Sequence, residues 1–278
     1  MPQPVAVLMA AYNAENTLKQ AVASLLDDPY PCRIYIVDDC SRVPVADVIG
    51  RHDPERIEII RLEKNGGPAH ARNAGLERIL ENGHDYVAIM DADDISMPNR
   101  LAKQVCFLDK HPRVGAVGSW TRHFDEHSGE ATLYRQRPAD SAAIRNLMFF
   151  NTGISHASAV FRIDALRTVG IYSENYPAAE DYELLRRIGA KYDLANVPEY
   201  LLAYRVPSQG QSLGRRRRQL IDRLKIQLRY FAPLNWRAWA GVAQTVVSLV
   251  APVKLVHAIK LKVLHRQIAT PDARPSSS

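Results

Sequence analysis

The sequence predicts an α/β protein, built as a mostly parallel sheet flanked by helices and continued by a basic helical extension at its C-terminus. Three observations carry that prediction. Short apolar runs rich in β-branched residues alternate with amphipathic stretches of helical period, the spacing of βαβ units. Several of the runs end in polar or acidic residues, which an open α/β sheet presents at the carboxyl edge where ligands bind. Charge also divides the chain: Met1 to Tyr204 holds 22 Lys and Arg against 28 Asp and Glu, whereas Arg205 to Ser278 holds 14 against 2. The boundary falls near Pro207 to Gly214, which reads as a linker (207–214) between a domain at 1–206 and a basic region at 215–269; 270–278 reads as a disordered tail.

Taken in order, Val5 to Ala10 is a first strand, and Asn13 is placed to N-cap a helix whose Leu18, Val22, Leu25 and Leu26 share one face. Arg33 to Val37 is a second strand, ending in Asp38-Asp39, and Ile57 to Leu62 a third. The turn Lys64-Asn65-Gly66-Gly67-Pro68 permits close backbone approach, and the helix Ala69 to Leu80 carries Arg72 and Asn73 in its first turn. Tyr86 to Met90 then runs as a buried strand into Asp91-Ala92-Asp93-Asp94, followed by a helix over Pro98 to Lys110. His123 to Arg137 is hairpin-like with Ser128-Gly129 at its tip, a lid or acceptor loop in character. His156 to Ile163 reads as a strand, and an irregular stretch after Tyr172 leads to a helix opening at Glu180-Asp181.

The strand ends converge on one edge, and their chemistry is that of a nucleotide site. Three carboxylates within four residues repel one another unless a cation neutralises them, and all-oxygen ligands suit Mg²⁺ or Mn²⁺. Tyr12 can stack on a base, Asp39 can accept from a base N–H or a ribose hydroxyl, and Arg72 can hold Asp39 or a phosphate. The chain has neither GxGxxG nor a Walker GK[ST] loop, which excludes the usual dinucleotide and P-loop sites.

Ala10-Ala11-Tyr12-Asn13, Val37-Asp38-Asp39-Cys40-Ser41, Asn65 to Asn73, Asp91-Ala92-Asp93-Asp94 and Met97-Pro98-Asn99-Arg100-Leu101, in that order, resemble the successive motifs of family 2 glycosyltransferases. The resemblance covers roughly Val5 to Arg205. It implies a GT-A, Rossmann-like fold, a nucleotide-sugar donor, a divalent metal and inversion at the anomeric carbon. By motif position, Tyr12 and Asp39 would contact the base, Asp91 the sugar or ribose, and Asp93 the metal. Glu180-Asp181 looks like the family's ED motif, with Asp181 in the place of the catalytic base. His156 stands where members carry a polar acceptor-site residue. The Tyr204-Arg205 to Ser212 segment resembles a further signature but lacks its usual histidine, so Arg205 is a diphosphate contact by position alone. There is no QxxRW motif with long apolar spans, which speaks against a processive synthase.

Cys32, Cys40 and Cys106 have no metal-like spacing, and their odd number fits free thiols in a reducing cytosol. The N-terminus lacks a basic segment before its apolar run, so a signal peptide is not expected. Beyond Gly214, four consecutive arginines precede Leu220, Ile221, Leu224, Leu228 and Phe231 on one helical face. The uncharged Ala238 to Val253 is shorter than the roughly 20 residues a span requires. Lys254 to Ile268 resumes the basic amphipathic pattern. These features predict attachment in the plane of an anionic membrane, peripheral or monotopic on its cytoplasmic inner face, with a saccharide or lipid-linked acceptor. A nucleotidyltransferase would share the fold, but its Gly-rich basic loop is missing after the first strand. A nucleic-acid-binding protein is the more distant alternative, since the acidic first half repels polyanions.

Overall fold

The computed structural model describes residues 4–206 and 213–251. Strand β1 (Val5–Ala11) leads to α1 (Leu18–Leu26), β2 (Cys32–Asp38), α2 (Val45–Ile49), β3 (Ile57–Arg61), α3 (Pro68–Glu81) and β4 (Tyr86–Ile89). A two-residue β5 (Ile95–Ser96) and α4 (Arg100–Lys110) follow, then the long β6 (Val114–Asp125), β7 (Ala131–Arg135) and α5 (Ser141–Leu147). The second half continues through β8 (Val160–Arg162), α6 (Ile163–Val169), α7 (Glu180–Lys191) and β9 (Asp193–Val206), and ends with α8 (Leu213–Arg229) and α9 (Trp236–Val250).

The sheet runs in the order β3-β2-β1-β4-β8-β6-β9-β5, with β7 on the outside of β6. Its first four strands are parallel, and β6 pairs parallel with β9; β8 and β5 run antiparallel to their neighbours. The chain leaves β1 toward β2 on one side and later fills β4 on the other, so the order reverses between β1 and β4. A crevice opens at the carboxyl ends of strands at such a point. Both faces of the sheet are covered, because alternate residues of β1 point to opposite cores. Val5, Val7 and Met9 pack with α1 and α4, whereas Ala6 and Leu8 pack with α3, α6 and α7. Helix α3 lies so close to the sheet that a Cβ at Gly75 would sit 2.3 Å from Leu8 Cδ1 and 2.9 Å from Val37 Cγ2.

Two local expectations are corrected. Asn13 does not cap α1: it takes a left-handed conformation (φ 51°), and Thr17 stands at the helix start. Its backbone N–H donates to Ser41 Oγ (3.0 Å) and its Oδ1 accepts from Arg42 N (2.9 Å), so it ties the loop after β1 to the loop after β2. His156–Ser158 is a 3-10 turn rather than the start of a strand, with Ser158 Oγ donating back to Ser155 O (2.8 Å). On α8, Ile221 and Leu228 are exposed, and the buried positions are Asp222, Ile226 and Gln227. Asp222 accepts from Ala178 N (3.2 Å) and Gln227 donates to Phe149 O (2.8 Å), so the buried polar side chains find backbone partners while Ile221 and Leu228 of the apolar stripe stay at the surface. The hairpin of β6 and β7 forms as expected, with Gly129 at φ 71° in its turn, and the three cysteines are free. Residues 252–278, which include the basic pattern of Lys254 to Ile268, and the 207–212 part of the linker lie outside the described residues.

Candidate active site

The loop after β2 is built around Asp38. Its buried carboxylate accepts from Ser41 N (2.8 Å), Val45 N (3.1 Å) and Arg61 Nη1. Burial alone would raise its pKa, but these donors outweigh it and hold the group below its ordinary value. The neighbouring Asp39 turns toward the glycine-rich turn instead, where Oδ1 accepts from Gly66 N (2.8 Å) and Oδ2 from Gly67 N (2.9 Å). Gly67, at φ 83°, permits that turn at the start of α3. Tyr12, just beyond the end of β1, is 54% exposed.

Arg72 does not hold Asp39. It is buried, and its Nη2 donates to Asp91 Oδ1 (2.9 Å) while its Nη1 donates to Glu180 Oε1 (2.9 Å). Its guanidinium also lies over the Tyr172 ring (5.9 Å to the centroid). The first turn of α3 therefore joins the end of β4 to the start of α7, two segments 89 residues apart in sequence from Asp91 to Glu180. Two carboxylate partners hold Arg72 fully protonated despite its burial. Next to it, Asn73 exchanges two hydrogen bonds with the backbone of Tyr172 (both 2.9 Å), and the Tyr172 hydroxyl meets His156 Nε2 at 2.8 Å. Burial and the nearby Arg72 charge depress the His156 pKa well below its usual value, so the ring is neutral.

Asp91, Asp93 and Asp94 each offer a carboxylate oxygen within 4.8 Å of the others. The Asp93 carboxyl is pushed up to about 6, by desolvation in the cleft and then by the charge of Asp91. Solvent reaches Asp93, so the like-charge repulsion is the part a cation would relieve. Asp94 is buried and raised well above the carboxylate range by desolvation and by both neighbours. Its Oδ1 accepts from Arg205 N (2.9 Å), and its Oδ2 is buried without a hydrogen-bond partner. Three mutually repelling carboxylates with an unpaired buried oxygen fit a hard divalent cation such as Mg²⁺ or Mn²⁺. Arg205 is a clamp on this turn: Nε donates to Asp93 O (2.7 Å), Nη2 to Gln20 Oε1 (2.7 Å), and the guanidinium covers the Phe124 ring.

At the start of α7, Glu180 is buried and its carboxyl is raised to about 7 by desolvation, which Arg72 partly offsets. Asp181 is also raised by desolvation; Tyr182 N–H, bonded to its Oδ1 at 2.7 Å, opposes that shift, as do Arg72 and Arg223. The structure thus gathers Asp91, Arg72, Glu180, Asp181 and His156 into one connected neighbourhood, with Asp93, Asp94 and Arg205 adjoining through the acidic turn. Tyr172 was missed from sequence; the Arg72-Asn73 pair near the start of a helix was the available signal that a distant loop would be held there.

Replacing Arg72 with methionine leaves two partly or wholly buried carboxylates uncompensated. The expected loss is about 3–5 kcal/mol of stability, read by chemical denaturation. Arg72→Lys should recover only part of it, because an ammonium cannot bridge both acids as the guanidinium fork does.

Fold and cleft together define a transferase of the GT-A class. Solved structures agree on the fold: Staphylococcus aureus TarS 1–349 in complex with UDP-GlcNAc aligns with a TM-score of 0.67 at 15% identity, over 91% of this chain and 77% of that one. The mannosyltransferase PcManGT from Pyrobaculum calidifontis, in complex with GDP-Man and Mn²⁺, gives 0.63 at 17% identity, over 96% and 81%. The model of the family described as glycosyl transferase family 2 matches residues 6–170, and the chain belongs to that family. Among its relatives, the amylovoran biosynthesis glycosyltransferase AmsE of Erwinia amylovora is 36% identical over 151 residues, 54% of each chain. The succinoglycan biosynthesis protein ExoU of Rhizobium meliloti is 35% identical over 232 residues, 77% of this chain and 64% of that protein. This chain therefore spans about half the length of the first relative and under two thirds of the second.

Proposed function

We propose that this enzyme is an inverting, metal-dependent glycosyltransferase that moves a sugar from a nucleotide-sugar, a UDP-sugar in our reading, to a saccharide or lipid-linked acceptor in envelope polysaccharide or glycolipid synthesis. The observation that carries the proposal is the pair of hydrogen bonds that Arg72 donates, one to Asp91 and one to Glu180, which links the acid cluster to the Glu180-Asp181 pair. The relatives' roles in amylovoran and succinoglycan biosynthesis support the polysaccharide assignment, and the UDP-GlcNAc complex of TarS supports the donor class.

In this reading Tyr12 stacks on the base. Asp39, already fixed by Gly66 and Gly67, accepts from the base with its remaining lone pairs, and Asp91 meets the ribose or sugar hydroxyls. Asp93, with Asp91 and Asp94 beside it, would hold a divalent cation, which when bound would supply positive charge to the donor's diphosphate. Asp181 takes the proton of the acceptor hydroxyl as its oxygen bonds to the anomeric carbon, and the bond from that carbon to the diphosphate oxygen breaks on the opposite face. Arg72 and Glu180 keep Asp181 and Asp91 in register. His156, neutral and bonded to Tyr172, borders the acceptor side as a positioning group, and Arg205 acts on the diphosphate only through the acidic turn it clamps.

The base acts as a carboxylate, so proton uptake on the acid side removes activity. Glu180 takes up a proton as pH falls through about 7 and weakens its bond to Arg72, and Asp181, its proton affinity also raised by desolvation, is lost as a base on the same acid side. Turnover should be full above about 7 and decline below it, and a pH–rate profile with no acid limb would contradict this. Screening nucleotide sugars for donor hydrolysis with and without Mn²⁺ tests the function itself. A single preferred donor, hydrolysed only with metal, is expected; hydrolysis of none, or equal rates in EDTA, would overturn the assignment.

A further inference from the structure

Helix α9 has two unlike faces. Ala238, Gly241 and Thr245 are buried against the rest of the molecule, and a Cβ at Gly241 would sit 2.0 Å from Phe149 O, so this face is pressed onto the segment after α5. The opposite face carries Trp236, Trp239, Val246, Val247 and Val250, from 43% to 78% exposed. Leu234 in the preceding loop and Leu228 on α8 are exposed as well. Among the described residues, eight of the twelve exposed large hydrophobics fall between Ile221 and Val250, a concentration that marks an interaction surface rather than scattered surface residues.

We infer that this face of α9 docks in the plane of an anionic lipid surface. The inference deepens the reading of a lipid-linked acceptor proposed above and rests on it for its purpose. Charge selects the occupant. The chain from Arg205 onward carries 14 basic against 2 acidic residues, and among the described ones Arg217, Arg218 and Arg229 are exposed on α8. Arg237 adds a cation on α9 beside the patch, where its guanidinium lies over the Trp236 ring (4.9 Å). A second copy meeting through the same face would bring two such basic regions together, and residues 252–278, themselves net basic, would face the same repulsion. Anionic headgroups reverse the sign of that interaction. The tryptophans suit an interface: Trp239 Nε1 already donates to Pro233 O (3.0 Å), so its ring can enter an apolar boundary without leaving a donor unpaired. Length sets the orientation. At about 1.5 Å per residue α9 is roughly 22 Å long, short of the ~30 Å hydrocarbon core, and among the described residues no helix is long and apolar enough to cross a membrane. The helix lies along the surface.

The test is co-sedimentation of the full chain with vesicles of phosphatidylcholine mixed with phosphatidylglycerol, and of phosphatidylcholine alone. Binding to the mixed vesicles that weakens with salt is expected, and Val247→Asp with Val250→Asp should reduce it at least about tenfold. Both positions are exposed, and unchanged calorimetric binding of UDP with Mn²⁺ certifies the fold of the variant. If UDP fails to bind even the native chain, the donor reading falls while the vesicle result still decides this one. Three results overturn the inference: vesicle binding unaffected by the double substitution, a solution dimer that the substitution splits, or vesicle binding that emerges only once residues 252–278 are removed.

Discussion

Asp181→Asn is expected to lower turnover by about 10² to 10⁴ while leaving donor binding intact. The substitution preserves size and the hydrogen bond that Oδ1 accepts from Tyr182 N, and removes only the capacity to take a proton. The carboxyl suits the role because it sits in a desolvated place that raises its proton affinity, opposed by Tyr182 N–H, Arg72 and Arg223, which keep it from becoming a permanent acid. Calorimetric titration with UDP and Mn²⁺ beside single-turnover kinetics separates binding from chemistry. Near-normal turnover with the true acceptor would remove Asp181 from the role of base.

Asp93→Ala should abolish the metal dependence of nucleoside diphosphate binding and lower turnover by at least about 10². Without Asp93 a cation loses its most accessible ligand, and the diphosphate then faces Asp91 and the buried Asp94 with their charge uncompensated. Titration of the variant with UDP at fixed Mn²⁺ and in EDTA reads this directly. Equal affinity with and without metal is expected; affinity and metal response like those of the native chain would place the cation elsewhere.

Much of this site is legible in the sequence because parallel strands write their own ligand edge. Buried strands of the α/β sheet show as continuous apolar runs, and the residues at which those runs stop, Tyr12, Asp39 and Asp91, stand at the ends of β1, β2 and β4. What sequence does not carry is partner choice across the cleft. Arg72 lies closer in sequence to Asp39 than to Glu180, yet it bonds Glu180 and Asp91, because Asp39 is already satisfied by the N–H groups of Gly66 and Gly67. Arg205 stands by motif position at a metal or diphosphate, and its Nε and Nη2 donate to Asp93 O and Gln20 Oε1, contacts the motif does not announce. Helix boundaries failed for a similar reason: Asn13 has the chemistry of a cap, but Ser41 and Arg42 from the neighbouring loop offer it hydrogen bonds that draw it into the left-handed region. Long-range pairing of this kind leaves no periodic trace.

Direct displacement at the anomeric carbon, with Asp181 as the proposed base, has a stereochemical consequence. With the donor identified by the hydrolysis screen, the configuration of the newly formed glycosidic bond can be read from the anomeric coupling constant in a proton NMR spectrum of the product. An α-linked nucleotide-sugar should yield a β-linked product; an α-linked product would show retention and contradict the mechanism.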